Sequence, residues 1–556
     1  MKKNVLLIIA LAISFQTFAQ VFTGDLTLIS QAEIDAFNYT EVTGTLTIEE
    51  SSLGGITSLS GLSELESVGE GLSINNNSSL SSLDGLNNLS SIVGENIDTL
   101  GNGIGLNISN NESLNSISSL SNLTSIEGNL HIVNNNSITS LIGLEGITSL
   151  NGNLDISDNE NLNSLSGLNN ISLVNGVGFF GGGMSFWNND SLTDMTGLNS
   201  LITINGWLQI IGNDSLTDMT GLNNLTNIVG SLLITGNNSL SSLIGLNALT
   251  SVEGKLGTND RLEISSNPML TSLDGFDSLT AVRTIEILGN NLLSSLSKLI
   301  GITSIDEHLI INANNSLTSL DGLNNITSVG GGLNILSNYN LTSLVGLENL
   351  TSVGRYMHIG HVITNTGGHL EGNKLLASIS SLTNLNYIGE NLTIEANDVL
   401  TTLNGLENIS TINGNLEIGR ATYGSNVYFD NPNLNDLCAL KHLITTGQIV
   451  SNEYFVENNA HNPTYSEMQN LNCGSLSIND VAKNHYQVYP NPAKNNITIE
   501  GFATVEKIEI YTIQGQKVLS HFKKNKIDIS SLSNGIYLLK LTDPKNKTQT
   551  IKFIKE

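Results

Sequence analysis

Leu72-Ser73-Ile74-Asn75-Asn76-Asn77 is the stretch that decides the fold, because its outline returns along most of the chain, usually every 24 residues. Counting Leu72 as the first core position of a unit, the equivalents are Leu106, Leu130, Leu154, Met184, Leu208, Leu232, Leu262, Ile285, Leu309, Leu333, Gly368 and Leu392. Five residues beyond each stands an asparagine without exception. They are Asn77, Asn111, Asn135, Asn159, Asn189, Asn213, Asn237, Asn267, Asn290, Asn314, Asn338, Asn373 and Asn397. Nine residues further on comes Leu, or Phe276 in one unit, preceded by Gly except at Ser119, Lys298 and Ser381. Self-similarity at such a period is the signature of a repeat architecture.

Within a unit, Leu72 and Ile74 alternate as in a short strand, so both face one side. Leu80, Leu83, Leu86, Leu89 and Ile92 follow at spacing three. That run is too long for a 3₁₀ helix. It predicts a curved return path with its apolar side chains turned inward. A single coil cannot bury these leucines, but stacked coils can. The asparagine column then has a purpose. Amides stacked one above the next can satisfy turn N–H and C=O groups inside the core, where each unpaired group costs about 1–3 kcal/mol. The expected fold is mainly β: a leucine-rich-repeat-like or β-helix-like solenoid of about 24-residue coils, then a small antiparallel β-sandwich.

The pattern resembles leucine-rich repeats, and more closely the receptor L-domain-like repeats of bacterial surface proteins. The matching residues have the form Gly152-Asn153-Leu154-Asp155-Ile156, then Asn159, then Leu162-Asn163-Ser164-Leu165-Ser166-Gly167-Leu168. The resemblance covers roughly residues 24–450. It speaks for fold more than function, since such scaffolds serve many ligands.

After residue 480 the composition changes. Val488-Tyr489-Pro490-Asn491-Pro492 opens a segment of short alternating stretches: Ile497-Thr498-Ile499, Ile508-Glu509-Ile510-Tyr511 and Gly535-Ile536-Tyr537-Leu538. Together with Asn534-Gly535-Ile536-Tyr537 and the lysine-containing end, this resembles the type A C-terminal sorting domain of the type IX secretion system. The resemblance implies a partner, the type IX secretion machinery, acting through residues 485–556. It also implies release or display at the outer surface of a Gram-negative cell. At the other end, Lys2 and Lys3 precede an apolar run, Val5 to Ile13, and Thr17-Phe18-Ala19-Gln20 offers a cleavage site, as in a secretory signal. The expected organisation is a signal peptide (1–20), an N-terminal cap (21–45), the solenoid (46–450), a C-terminal cap and linker (451–484) and the sorting domain (485–556).

The formal net charge is −28, and only eight Lys or Arg lie between residues 21 and 481. A nucleic-acid partner needs a basic footprint, so none is expected. The apolar N-terminal run is too short to span a bilayer, and no transmembrane segment is expected elsewhere. In an oxidising compartment Cys438 and Cys473 are candidates for a disulfide worth about 3–4 kcal/mol on the chain-entropy account.

Insertions before the strands, at 95–105, 177–182, 255–260 and 355–367, fall at one corner of the coil, and 420–428 adds a loop after the last strand. Insertions gathered on one side of a rigid scaffold often carry recognition. Trp187 and Trp207 lie in neighbouring units, with Phe179 and Phe180 in the adjoining insertion. Trp187 should face outward one coil below Ile211. These five residues are the candidate ligand patch, since exposed aromatics suit sugar stacking or a protein hot spot. The competing reading is local packing of the insertion. His358, His361 and His369, with Glu371, could hold Zn²⁺ or Cu²⁺, although the spacing matches no known zinc motif. No resident cofactor is otherwise indicated.

The expected function is non-catalytic binding or adhesion outside the cell, towards a glycan or a protein. A carbohydrate-active enzyme on a solenoid is one alternative. The scarcity of Lys and Arg and the lack of a recurring acid column argue against a lyase, while an inverting hydrolase needs only two carboxylates. A structural surface-layer component is another. The sequence holds no HExxH, CxxC or Gly-x-Ser-x-Gly, and Gly181-Gly182-Gly183 lies between strands rather than in a phosphate-loop setting.

Overall fold

The computed structural model describes residues 20–53, 55–94, 103–176, 182–254, 260–361, 372–419, 430–446, 448–473, 487–500, 505–513, 515–542 and 548–556. The signal peptide assigned above, apart from Gln20, and most of the linker lie outside these residues, as do Phe179, Phe180, Gly368, His369 and Glu371. The chain divides into two compact units, Met1–Leu471 and Asn472–Glu556.

The first unit is a β-solenoid. Each coil contributes one front strand, such as Gly71–Asn75, Leu154–Ser157 or Leu232–Thr235, which pairs in parallel with its equivalent one coil on. The register keeps like on like: Leu72 opposite Leu106, Ile74 opposite Ile108. The sheet is open. Among the described residues it starts at Leu26–Leu28 and ends at Tyr454–Val456, each of which pairs there on one side only. It therefore runs into both segments assigned above as caps. Two-residue strands such as Ser67–Val68 and Ser91–Ile92 precede most front strands and form three further parallel sheets in succession along the array.

The return path is made of successive turns. Leu80, Leu86 and Leu89 donate to the carbonyls of Asn77, Leu83 and Leu86, each three residues back. In that coil Leu72, Ile74, Leu80, Leu83, Leu86, Leu89 and Ile92 are all fully buried. One apolar core continues from Leu28 to Met468. Each buried leucine is worth about 1.5–3 kcal/mol over an exposed one, and only the neighbouring coils make that burial complete.

The asparagine column runs through this core, and all thirteen side chains are fully buried. Asn111 shows the rule. Its Nδ2 donates to Ile74 O of the previous coil (2.8 Å), to Ser109 O of its own (3.0 Å) and to Asn135 Oδ1 of the next (3.2 Å). Its backbone N–H also donates to Asn135 Oδ1 (3.1 Å). One side chain thus ties three coils together. The file extends past Asn397 to Asn431 and Asn459. At the start, Glu50 N–H donates to Asn77 Oδ1 (3.1 Å).

Two further columns come into view. The residue before each ladder asparagine is usually left-handed: Asn76, Asn110, Asn134, Asp158, Asn188, Gly212, Gly236, Ser266, Gly289, Ala313, Ser337 and Ala396. The glycine before the Leu column has φ of +113 to +127. A Cβ on Gly221 would stand 2.0 Å from Met195 O in the previous coil, so no side chain fits. Where that glycine is replaced, at Ser119, Lys298 and Ser381, the chain takes a short 3₁₀ turn instead: Ser118–Leu120, Ser297–Leu299 and Ser380–Leu382.

One unit is placed differently from the sequence expectation. The core position is Met357, not Gly368: strand Met357–Gly360 pairs with Leu333–Leu336 on one side and with Leu392–Ile394 on the other. Met357 and Ile359 supply two apolar inward side chains, and glycine supplies none. The extra residues of this unit therefore follow the strand, between it and Asn373. In chain order they come after a front strand, as residues 420–428 do, whereas the insertions at 95–105, 177–182 and 255–260 come before one.

At the end of the array, Thr464 caps helix Tyr465–Asn470 through a capping box with Glu467. Cys438 and Cys473 are disulfide-bonded. In the second unit, Gln487–Tyr489, Asn496–Glu500 and Lys526–Asp528 form one antiparallel sheet. Lys517–Phe522, Lys507–Thr512, Gly535–Thr542 and Thr548–Lys555 form another. Ile497, Ile508, Leu539 and Phe553 are among its buried core residues.

Candidate functional site

Trp187 ends the front strand Gly183–Trp187 and is 41% exposed. It stands in register between Ser157 and Ile211 of the neighbouring coils. Ile211 and Trp207 are half-buried. Trp207 pairs with Gly183 at the opposite end of the strand, four residues from the level of Trp187. At the rise of an extended strand that is about 13 Å. The two indoles therefore do not form one patch.

What adjoins Trp187 is a polar groove. The next residue, Asn188, lines it with Asp190, Asp158, Glu160, Asn134, Asn136, Asn110 and Val133, around about 460 Å³. These residues come from four successive coils, on the turn that follows each front strand, apart from Val133, which ends its strand. At about 4.8 Å per coil the groove runs about 14 Å along the stacking direction. The turn conformation explains the lining. Asn110, Asn134, Asp158 and Asn188 are the left-handed residues before the ladder, and Asn and Asp tolerate that conformation best among non-glycine residues. Next to each is a ladder asparagine that fixes the backbone below. Neighbouring side chains order the rim: Asn134 Nδ2 donates to Asn110 Oδ1 (2.7 Å), and Asn188 Nδ2 to Asp158 Oδ1 (2.8 Å). The groove thus combines amide donors, amide acceptors and three carboxylates, and the exposed Trp187 immediately precedes its lining residue Asn188 in the chain. That inventory suits a polyhydroxylated ligand: hydroxyls bond to amides and acids, and a sugar face can rest on an aromatic ring. Sequence reasoning found Trp187 but not the groove, although Asn110-Asn111-Glu112, Asn134-Asn135-Asn136, Asp158-Asn159-Glu160 and Asn188-Asn189-Asp190 all carry the signal.

The histidines fall elsewhere on the array. His358 lies on the strand Met357–Gly360, and His361 follows it. They belong to the scaffold and not, as read from sequence, to an insertion. The structure brings them to Glu395, from the next coil. His358 Nε2 and His361 Nδ1 are each 2.8 Å from Glu395 Oε1. Glu395 is wholly buried, and its Oε2 accepts no hydrogen bond among the described residues. Burial pushes its carboxyl up, but hydrogen bonding and charge from His358 and His361 outweigh this, and the net direction is down. Glu395 was missed from sequence, being thirty-four residues beyond His361.

A parallel solenoid followed in sequence by an antiparallel tail unit defines the class: a repeat scaffold with a separate C-terminal unit. The comparisons agree with that fold. Residues 38–136 and 202–301 match the Receptor L domain family, and residues 487–556 match the secretion system C-terminal sorting domain. No curated protein matches the chain. The tail marks a secreted or outer-surface protein handled by the type IX secretion system. No helix among the described residues is long and apolar enough to cross a membrane.

Proposed function

We propose that this is a non-catalytic recognition protein of the cell exterior, and that its ligand is a glycan held in the groove beside Trp187. The observation that carries the reading is the groove itself: amides and carboxylates from four coils, rigidly spaced by the ladder, next to an exposed indole. Asp158, Glu160 and Asp190 are all exposed, so the groove presents their oxygens as hydrogen-bond acceptors to a ligand. The few cations of the array also fit a neutral glycan better than a polyanionic one.

The test is a glycan-array screen of the full mature chain, followed by titration of the best neutral oligosaccharide. Trp187→Ala should weaken that binding about five- to tenfold, matching about 1–1.4 kcal/mol of aromatic contact. Asn188→Ala should weaken it further, and Trp207→Ala should leave it unchanged. No glycan binding by the native chain, or binding indifferent to Trp187→Ala, would overturn the reading.

A further inference from the structure

We propose that His358, His361 and Glu395 form a binding site for a transition-metal dication of the zinc class, stapling two successive coils of the array. The three side chains offer two imidazole nitrogens and a carboxylate oxygen, with the ligand atoms all within 4.8 Å of one another. That donor set is common at protein Zn²⁺ sites, in which a fourth position is taken by water or another ligand.

The geometry is close to what the ion needs. Both imidazole nitrogens lie 2.8 Å from Glu395 Oε1; His358 Nε2 is hydrogen-bonded to it, while His361 Nδ1 meets it at an angle unsuited to a hydrogen bond, and the rings stand 83° apart. In a tetrahedral site with ligands at about 2.0–2.1 Å, donor atoms are about 3.3 Å apart. Each imidazole would therefore withdraw by about half an ångström from the oxygen, and the two nitrogens, within 4.8 Å of each other, would settle at the same spacing. Imidazole and carboxylate ligate through deprotonated atoms, so uptake by protonated ligands should release protons.

Two features of the scaffold serve the cluster. The first is Gly360. A Cβ there would stand 2.8 Å from Glu395 Cγ and 3.1 Å from His358 Nε2. The absence of a side chain at this one front-strand position lets the Glu395 side chain lie across the sheet to both histidines. The second is burial: Glu395 is fully enclosed, and its Oε2 accepts no hydrogen bond among the described residues. A buried carboxylate with idle lone pairs is costly unless a cation or donor meets it. Asn334, the register partner of His358, also carries a buried Oδ1 that accepts no hydrogen bond among the described residues.

The site also has a position that gives a metal something to do. His358 and His361 belong to the coil of Met357, Glu395 to the coil of Leu392, and the chain between these coils is interrupted by extra residues. Ligands from both coils would hold them together independently of that connection, as structural metals do elsewhere.

The experiment uses the full mature chain, stripped with chelator and dialysed. Isothermal titration with Zn²⁺ should show one equivalent bound with proton release. Co²⁺ should give the visible absorption of a tetrahedral nitrogen/oxygen site. Glu395→Gln and the double variant His358→Asn/His361→Asn should each lower affinity at least about 100-fold, more than loss of an outer-shell partner does. His308→Gln, on another coil, should leave affinity unchanged. His358→Asn alone, at a half-exposed position, serves if the buried changes disturb folding, and should also weaken uptake. No uptake by the native chain, or uptake undiminished in His358→Asn and in the double variant, would overturn the proposal.

Discussion

Replacing Asn237 by alanine removes one rung of the ladder and leaves its neighbours in place. The Asn237 Oδ1 accepts from Asn213 N–H (3.0 Å) and from Asn213 Nδ2 (3.3 Å). Its Nδ2 donates to Ile210 O (2.9 Å), Thr235 O (3.3 Å) and Asn267 Oδ1 (3.2 Å). Asn267 Oδ1 keeps the backbone N–H of residue 237. The buried groups left without that side chain are chiefly Asn213 N–H and Ile210 C=O. At about 1–3 kcal/mol for each stranded group, Asn237→Ala should cost about 2–6 kcal/mol. Asn238→Ala is the matched control. Asn238 is exposed and, among the described residues, donates only to Asp214 Oδ1 (2.7 Å), so its loss should cost about 0.5 kcal/mol or less. Long arrays need not unfold in a single step. The assay is therefore urea unfolding followed by Trp fluorescence together with hydrogen exchange resolved by peptide. The loss of protection should centre on the coils of Leu208, Leu232 and Leu262. Equal costs for the two substitutions would refute the reasoning.

Three further outcomes are expected. Gly221→Ala should destabilise by about 3 kcal/mol or more or prevent folding, because it adds a strained positive φ to a clash 2.0 Å from Met195 O; thermal melting measures it. Ala313→Gly should stabilise by about 0.5–1 kcal/mol, since Ala313 holds φ +55, which costs an L-residue more than glycine's added flexibility; denaturant midpoints check this. Burial holds the His131 imidazole below its ordinary value, although Asp155, its register partner, pulls the other way. Between the two pKa values the unfolded chain binds the extra proton, so stability falls as pH drops through 6.5 towards the folded value. His131→Gln should remove that part of the acid-side loss, read from melting temperatures across the window.

The solenoid was legible in the sequence because its determinants are local and repeated. Leu72, Ile74 and Asn77 recur with the same spacing, and their equivalents meet in register. The chemistry that joins coils was less legible. Glu395 reaches His358 only through sheet register, and the Gly368 assignment shifted that register by placing the strand after the extra residues instead of before them. The local cue was Met357-His358-Ile359, whose alternation fills two core positions, against Gly367-Gly368, which fills none. The left-handed column was hidden by variety: Asn76, Gly212, Ser266 and Ala313 share one conformation, and only the backbone shows it. The groove was hidden for a related reason. Each coil gives it one or two polar residues, unremarkable alone, and stacking alone places them side by side.

The central claim is that the asparagines from Asn77 to Asn397 form one buried file. Selective ¹⁵N-asparagine labelling with side-chain amide exchange tests it directly, using Asn→Gln variants for assignment. The account predicts that the NH₂ signals of Asn111, Asn213 and Asn314 exchange only as slowly as the array opens, while those of Asn224 and Asn238 exchange rapidly. Ladder side chains that exchange as fast as the surface ones would contradict it.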